Sequence, residues 1–197
     1  MSDLMSLLRN PTISLNEITD HLDSLEYNER VKQGMALGNR EQRRLWDIAD
    51  RSKPLSLTYL VPDGAAPLEY YPFEGKNSLP VFKRFQKVFY RDSRGNLCGY
   101  NANPKFVQLT VGHGYFMVQM NPAAPEYEIQ IDYTRVPNEK PPEWPPIRSN
   151  DVFPTMFVYG GTKDHLRWVS KDVVIGRAFK MGESPMPNWF VLCRVRA

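Results

Sequence analysis

Three histidines, His21, His113 and His165, are the side chains of this 197-residue chain whose ordinary titration falls near neutral pH. None stands at metal-ligand spacing from another histidine, a cysteine or a carboxylate, so no metal site is expected. His113 sits between Gly112 and Gly114. A backbone flanked by glycines can approach a ligand closely, which makes this imidazole a candidate acid or base; a plain bulge is the simpler reading. "GHGY" is not a phosphate loop, because no helix start follows it. His165 follows Asp164 in what reads as a solvated turn. Cys98 and Cys193 belong to no C-x-x-C pair and fall in expected strands, where buried, inert thiols are the default. No G-x-S-x-G is present, and Ser78 in "GKNSLP" lacks the strand–turn–helix setting of a nucleophile.

Two arginines raise a sharper question. In "KDHLRWVSKDVVIGRAFKMG", Arg167 and Arg177 interrupt runs of Leu, Trp, Val, Ile and Phe. At a period of two, Val173, Ile175, Arg177 and Phe179 share a face, as do Trp189, Val191, Cys193 and Val195. An arginine turned into a small barrel needs an acid or a ligand oxygen, and Asp132 and Glu128 of "YEIQIDYTRV" are the obvious protein partners. The other reading places Arg177 outside, its stem packed and its head in water.

Composition narrows the setting. The net charge is +3, Lys and Arg are scattered, and hydrophobic and charged residues make up 42% and 24%, ordinary for a folded domain. "EGKNSLPVFKRFQKVFYR" interleaves Lys76, Lys83, Arg84, Lys87 and Arg91 with aromatics. With so low a charge, this reads as a cationic outer face over an aromatic core and argues against nucleic acid. "MSDLMSLLRN" lacks the basic stretch and apolar core of a secretory leader, and no apolar run is long enough to span a membrane as a helix. A cytoplasmic protein with reduced thiols is expected.

The elements that would position these residues fall into two regions. Residues 1–54 read as a helical cap. Ser14 and Glu17 have capping-box spacing, Leu15, Ile18, Leu22 and Leu25 form a stripe, "YNERVKQGMAL" makes a second helix ended by Gly38, and Asn39 caps a third. Each helix is too short to stand alone and must dock. Residues 55–197 alternate at period two with frequent turns. About nine short strands are expected, drawn from the eleven candidate segments "LSLTYLV", "LEYYPF", "VFKRFQKVFYR", "LCGYN", "KFVQLTV", "YFMVQM", "YEIQIDYTRV", "TMFVYGG", "LRWVS", "VVIGRAFKM" and "WFVLCRVR", with "DSRGN" as a hairpin turn. This predicts a mainly β protein, an antiparallel barrel with one face packed and one wet, and helices against one opening. The segment 137–154, with Trp144 among prolines, cannot join a central strand and is a possible protein-partner site.

The C-terminal run "LRWVSKDVVIGRAFKMGESPMPNWFVLCR" resembles the closing strands of lipocalin-like (calycin) barrels, and in particular the end of the plastid lipid-associated protein (fibrillin) family. Asp172, Ile175 and Arg177, then Phe190, Val191, Leu192 and Arg194, carry the likeness over about 30 residues. Ile175 stands where the family has its first arginine, and no copy of the family's N-terminal Trp-containing strand is found. The resemblance implies a lipocalin-like barrel and, by analogy, a lipophilic ligand.

The leading expectation is a barrel that binds a small hydrophobic or amphipathic ligand without a cofactor. Tyr59, Tyr70, Phe85, Tyr115, Ile131, Tyr133, Tyr159, Trp168, Arg177 and Trp189 would line the site, Arg177 holding a ligand oxygen and Asp132 orienting it. A second expectation is an isomerase, cyclase or lyase on the same barrel, using His113, Asp132, Tyr133 and Glu128. A third is a filled-core interaction module.

Overall fold

The computed structural model describes residues 3–79, 83–102, 113–153, 155–181 and 184–195. Among these, eight antiparallel strands close into a barrel: β1 Tyr70–Asn77, β2 Arg84–Arg91, β3 Leu97–Ala102, β4 Tyr115–Met120, β5 Glu128–Asp132, β6 Thr162–Ser170, β7 Val173–Lys180 and β8 Ser184–Arg194. Each strand pairs with its neighbour in sequence, and β8 returns to pair with β1 from Phe73↔Arg194 to Asn77↔Phe190. Closure leaves no free sheet edge. The expected mainly β antiparallel barrel is therefore present. The strand expected over "KFVQLTV" lies outside the described residues.

Two expected strands are not strands. Within "LSLTYLV", Leu57–Tyr59 is a 3-10 helix, and within "TMFVYGG", Thr155–Phe157 is another. The first run is apolar because it packs against the end of the barrel, not because it joins its wall; in the second, Met156, Phe157 and Val158 are exposed. Leu55, Leu60 and Val61 pack onto the interior cluster. Tyr59 donates its hydroxyl to the Ser170 carbonyl at the end of β6, and Arg194 donates to the Tyr59 carbonyl. The segment around the first 3-10 helix thus shuts one end of the barrel. The "DSRGN" turn is as expected: the Asp92 carboxylate accepts from Arg94 N and Asn96 N, and Gly95 takes a left-handed φ of 83°.

Four helices precede the barrel: α1 Leu4–Arg9, α2 Leu15–Ser24, α3 Tyr27–Ala36 and α4 Asn39–Ile48. The Ser14–Glu17 capping box is formed, with Glu17 N donating to Ser14 Oγ and Ser14 N to Glu17 Oε2. Asn39 is the first helical residue rather than the cap; Gly38 precedes α4, and its N–H is taken by Glu41. The helices lie along the side wall made by β6, β7, β8 and β1, not over an opening. The reason is the outward face of that wall: Val169, Val173, Ile175, Val191 and Cys193 are apolar and join Ile18, Leu22, Leu45 and Trp46 in one buried cluster. This wall is packed on both faces, so the expectation of one wet face fails there. Arg30 of α3 locks the arrangement, meeting Asp172 at 2.9 Å and donating to the Leu25 carbonyl.

The opposite wall is covered by residues 137–150. Trp144 packs against Tyr70, Tyr90 and Tyr100, with centroids 4.4–5.3 Å apart. Asn150 donates to the Tyr115 and Tyr133 carbonyls. The proline-rich segment is thus a strap over its own barrel.

Candidate functional site

Inward side chains fill the closed half of the barrel. Phe73, Phe89, Phe116, Ile129, Ile131, Leu166, Val174 and Leu192 are buried together there. Three inward glycines each face an inward phenylalanine across a strand pair: Gly75↔Phe85, Gly99↔Phe116 and Gly176↔Phe190. Each ring lies where the glycine's Cβ would be; at Gly176 that carbon would sit 2.2 Å from Phe190. The missing side chains let the rings lie flat on the wall, which leaves room at the other end.

That room is a cavity of about 120 Å³ among the ends of β1, β3 and β7 and the starts of β2, β6 and β8. Phe85, Phe190 and Tyr159 form its apolar side. Lys87, Asn101, Tyr133 and Asp164 form its polar side, and Asn77, Thr162 and Asn188 also line it. Gly114, at φ 53°, lets Tyr159 and Asn101 close in on the chain, since a Cβ there would be 2.6 Å from the Tyr159 ring. Tyr159 stacks on Tyr133 at 5.0 Å.

The polar side is a closed circuit. Lys87 is only 2% exposed, and Asp164 5%. The Lys87 ammonium donates to Asn101 Oδ1 at 3.0 Å, to Asp164 Oδ2 at 3.1 Å and to the Tyr133 hydroxyl. That uses all three of its protons. Asn101 Nδ2 donates to the Tyr133 oxygen at 3.1 Å, and Tyr133 donates in turn to Asp164 Oδ2 at 3.1 Å. The rings of Phe85, Phe116, Tyr133 and Phe190 surround the ammonium at 5.0–5.5 Å, within cation–π range. Burial pushes the Lys87 pKa down, and the Asp164 charge opposes that. Burial first, and Asp164 second, push the Tyr133 phenol far up, so it stays protonated and remains a donor. Asp164 Oδ1, by contrast, takes no hydrogen bond among the described residues.

Of the residues singled out from sequence, Phe85, Tyr133 and Tyr159 meet at this cavity. Ile131 faces the interior, paired across strands with Asp164. Tyr59 and Trp168 lie toward the closed end, Trp168 beneath the Lys53 ammonium at 4.3 Å. Tyr70 and Tyr115 face outward under the strap, where Tyr115 stacks on Tyr100 and donates to the Pro145 carbonyl. Trp189 joins the helix-facing cluster. Arg177 is outside the barrel, donating to the Met186 carbonyl with its guanidinium 5.0 Å from the Trp189 ring centroid. Asp132 does not orient it; Asp132 pairs with Lys163 at 3.3 Å. Glu128 pairs with Arg167 at 2.8 Å and with His165 at 3.4 Å. His165 is not solvated but buried on the outer face, stacked on Phe179. His113 adjoins Gly114 beside the cavity but does not line it; burial, then Arg148, lower its pKa and keep it neutral.

The sequence reasoning missed Lys87, Asn101 and Asp164. Lys87 shares its parity with Phe85 and Phe89, the same signal that drew attention to Arg177. Asp164 shares its parity with Leu166.

No protein-family model matches the chain, and neither does any curated protein or solved structure. The closed eight-strand barrel is consistent with a lipocalin-like barrel, and the comparisons give no support to the calycin or plastid lipid-associated families.

Proposed function

We propose that the protein binds a small amphipathic molecule in the cavity above Lys87, with the molecule's hydroxyl or amino group donating to Asp164 Oδ1. The observation that carries this reading is the uneven use of the buried cluster. Lys87, Asn101 and Tyr133 satisfy one another, whereas one carboxylate oxygen on the cavity wall is left with acceptor capacity. Asp164 lines the cavity, so a donor on a molecule held there would meet the acceptor that the cluster leaves unused. Phe85, Phe190 and Tyr159 would take the apolar body. A volume of about 120 Å³ is below the ~300–1,000 Å³ of sites for drug-sized ligands and near the ~150 Å³ that holds benzene. The ligand is thus about one ring in size, or inserts one end. The two cysteines are free and buried, which fits residence in a reducing, cytoplasmic setting.

The test is an NMR titration with toluene, benzyl alcohol, benzylamine and benzoate. The reading expects saturable shifts at cavity amides with the alcohol and the amine, weaker shifts with toluene and none with benzoate, whose charge meets Asp164. A preference for benzoate, or no response to any of the four, would overturn it.

A further inference from the structure

Around the mouth of the cavity the surface is unusually apolar. Phe153 is 78% exposed and Phe157 76%, packed edge to face on each other at 5.9 Å. Val152, Met156, Val158 and Met181 are exposed beside them. Among the described residues these six are all but one of the exposed large hydrophobic side chains, and they come from two neighbouring connections, β5–β6 and β7–β8. Lys180 of β7 ties the two together by donating to the Gly160 carbonyl at 2.7 Å. Val158 also lines the cavity, so the patch runs into the mouth. Exposed apolar surface gathered in one place marks an interaction site, whereas single scattered residues do not.

The charges at the same end of the barrel select the partner. Lys83 and Arg84 at the start of β2, Arg148 in the strap and Lys180 at the end of β7 are exposed there, against the exposed acid Asp151. Protruding aromatic and aliphatic side chains within a cationic rim match the interface of an anionic bilayer, where rings sink to the headgroup–acyl boundary and cations meet lipid phosphates. No helix among the described residues is long and apolar enough to cross a membrane. We infer that the open end of the barrel docks on an anionic lipid surface through Phe153, Phe157 and Met181, which places the cavity mouth against the bilayer. This goes beyond the ligand reading and does not depend on it.

The full chain is tested by co-sedimentation with phosphatidylcholine vesicles containing 30% phosphatidylserine, and with pure phosphatidylcholine vesicles, at 0.1 and 0.5 M salt. The expected result is sedimentation with the anionic vesicles, weakened by salt. It should fall at least tenfold in Phe153→Ser/Phe157→Ser and about fivefold in Lys180→Gln, the worth of one cation near such a surface. Both positions of the double variant are exposed; circular dichroism and an unchanged urea midpoint confirm folding, and the titration with benzyl alcohol should be unchanged. Failure of the wild type to sediment, or equal sedimentation of the double variant, overturns docking whatever the titration shows. Concentration-dependent dimerisation that the double variant abolishes, without vesicle binding, would assign the patch to a second copy of the chain and likewise overturn it.

Discussion

Replacing Lys87 with methionine removes one half of a buried ion pair and leaves Asp164 charged inside the barrel. At 3.1 Å the two charges attract by roughly 5 kcal/mol at an effective dielectric near 20. Taking each ion from water costs several kcal/mol, so the pair as a whole adds little or nothing to stability. Breaking it is another matter: an orphaned buried charge costs about 3–5 kcal/mol. For a chain of this length that is on the order of a 10 °C fall in Tm. Lys87→Met and Asp164→Asn should each show it, while the double variant, with no charge left to strand, should unfold at or above the wild-type urea midpoint. A pH series adds a signature. The Lys87 pKa is lowered from about 10.5, so between the lowered value and 10.5 the unfolded chain holds a proton that the folded chain has lost. Wild-type stability from this group therefore rises with pH across that window and is depressed below it. Tyr59, Tyr90 and Cys193, all raised by burial, pull the other way in every variant, so the difference between wild type and double variant reports on Lys87 and, near pH 10, on Tyr133, whose phenol Asp164 also raises. Urea unfolding at pH 7 to 10 is the assay. Additive losses, with the double variant the least stable of the three, would refute the buried pair.

Three further outcomes are expected. Gly176→Ala places a Cβ 2.2 Å from Phe190, so the ring must move by about 1.2 Å to reach ordinary contact; urea melts should show about 1–3 kcal/mol lost, and cavity binding should weaken. Burial would raise the Glu128 pKa, but hydrogen bonds with His165, Arg167 and Asn121 outweigh it and hold the group at about 2. Its contribution is present above the unfolded value near 4.5 and fades as pH falls toward 2, so Glu128→Gln should flatten the acid limb of a stability–pH curve. Arg30→Ala removes the buried guanidinium that meets Asp172 at 2.9 Å but leaves Arg194 beside it at 3.5 Å, so urea unfolding should show about 1–3 kcal/mol lost, with the helical signal at 222 nm lost no later than the barrel's near-ultraviolet signal.

The barrel was legible because alternation is a local signal. "VFKRFQKVFYR", "YEIQIDYTRV" and "VVIGRAFKM" each carry it, and "DSRGN" announces its hairpin. The helical cap was legible for the same reason, through Ser14, Glu17 and the Leu15–Ile18–Leu22 stripe. What alternation does not carry is which parity points inward. Arg177 has three apolar companions on its face because that face meets helices, not because it faces the interior. The 3-10 turn at Leu57–Tyr59 lies between Leu55 and Leu60–Val61, which pack on the interior cluster, so its run is apolar like a strand and composition alone does not separate them. Lys87 was read as part of a cationic exterior although it sits at the parity of Phe85 and Phe89. Asp164, 77 residues away, supplies the charge that makes that position tenable, and this pairing exists only once β2 and β6 share a closed barrel.

The central claim is that the space above Lys87 and Asp164 is a ligand site. Native mass spectrometry of protein purified from its own host, alongside Asp164→Asn/Lys87→Met prepared in the same way, tests it most directly. The account predicts a one-to-one complex whose released molecule carries a hydroxyl or amino group on an apolar body, and which is missing from the double variant. An apo mass in repeated preparations of the wild type, or the same molecule retained by the double variant, would contradict it.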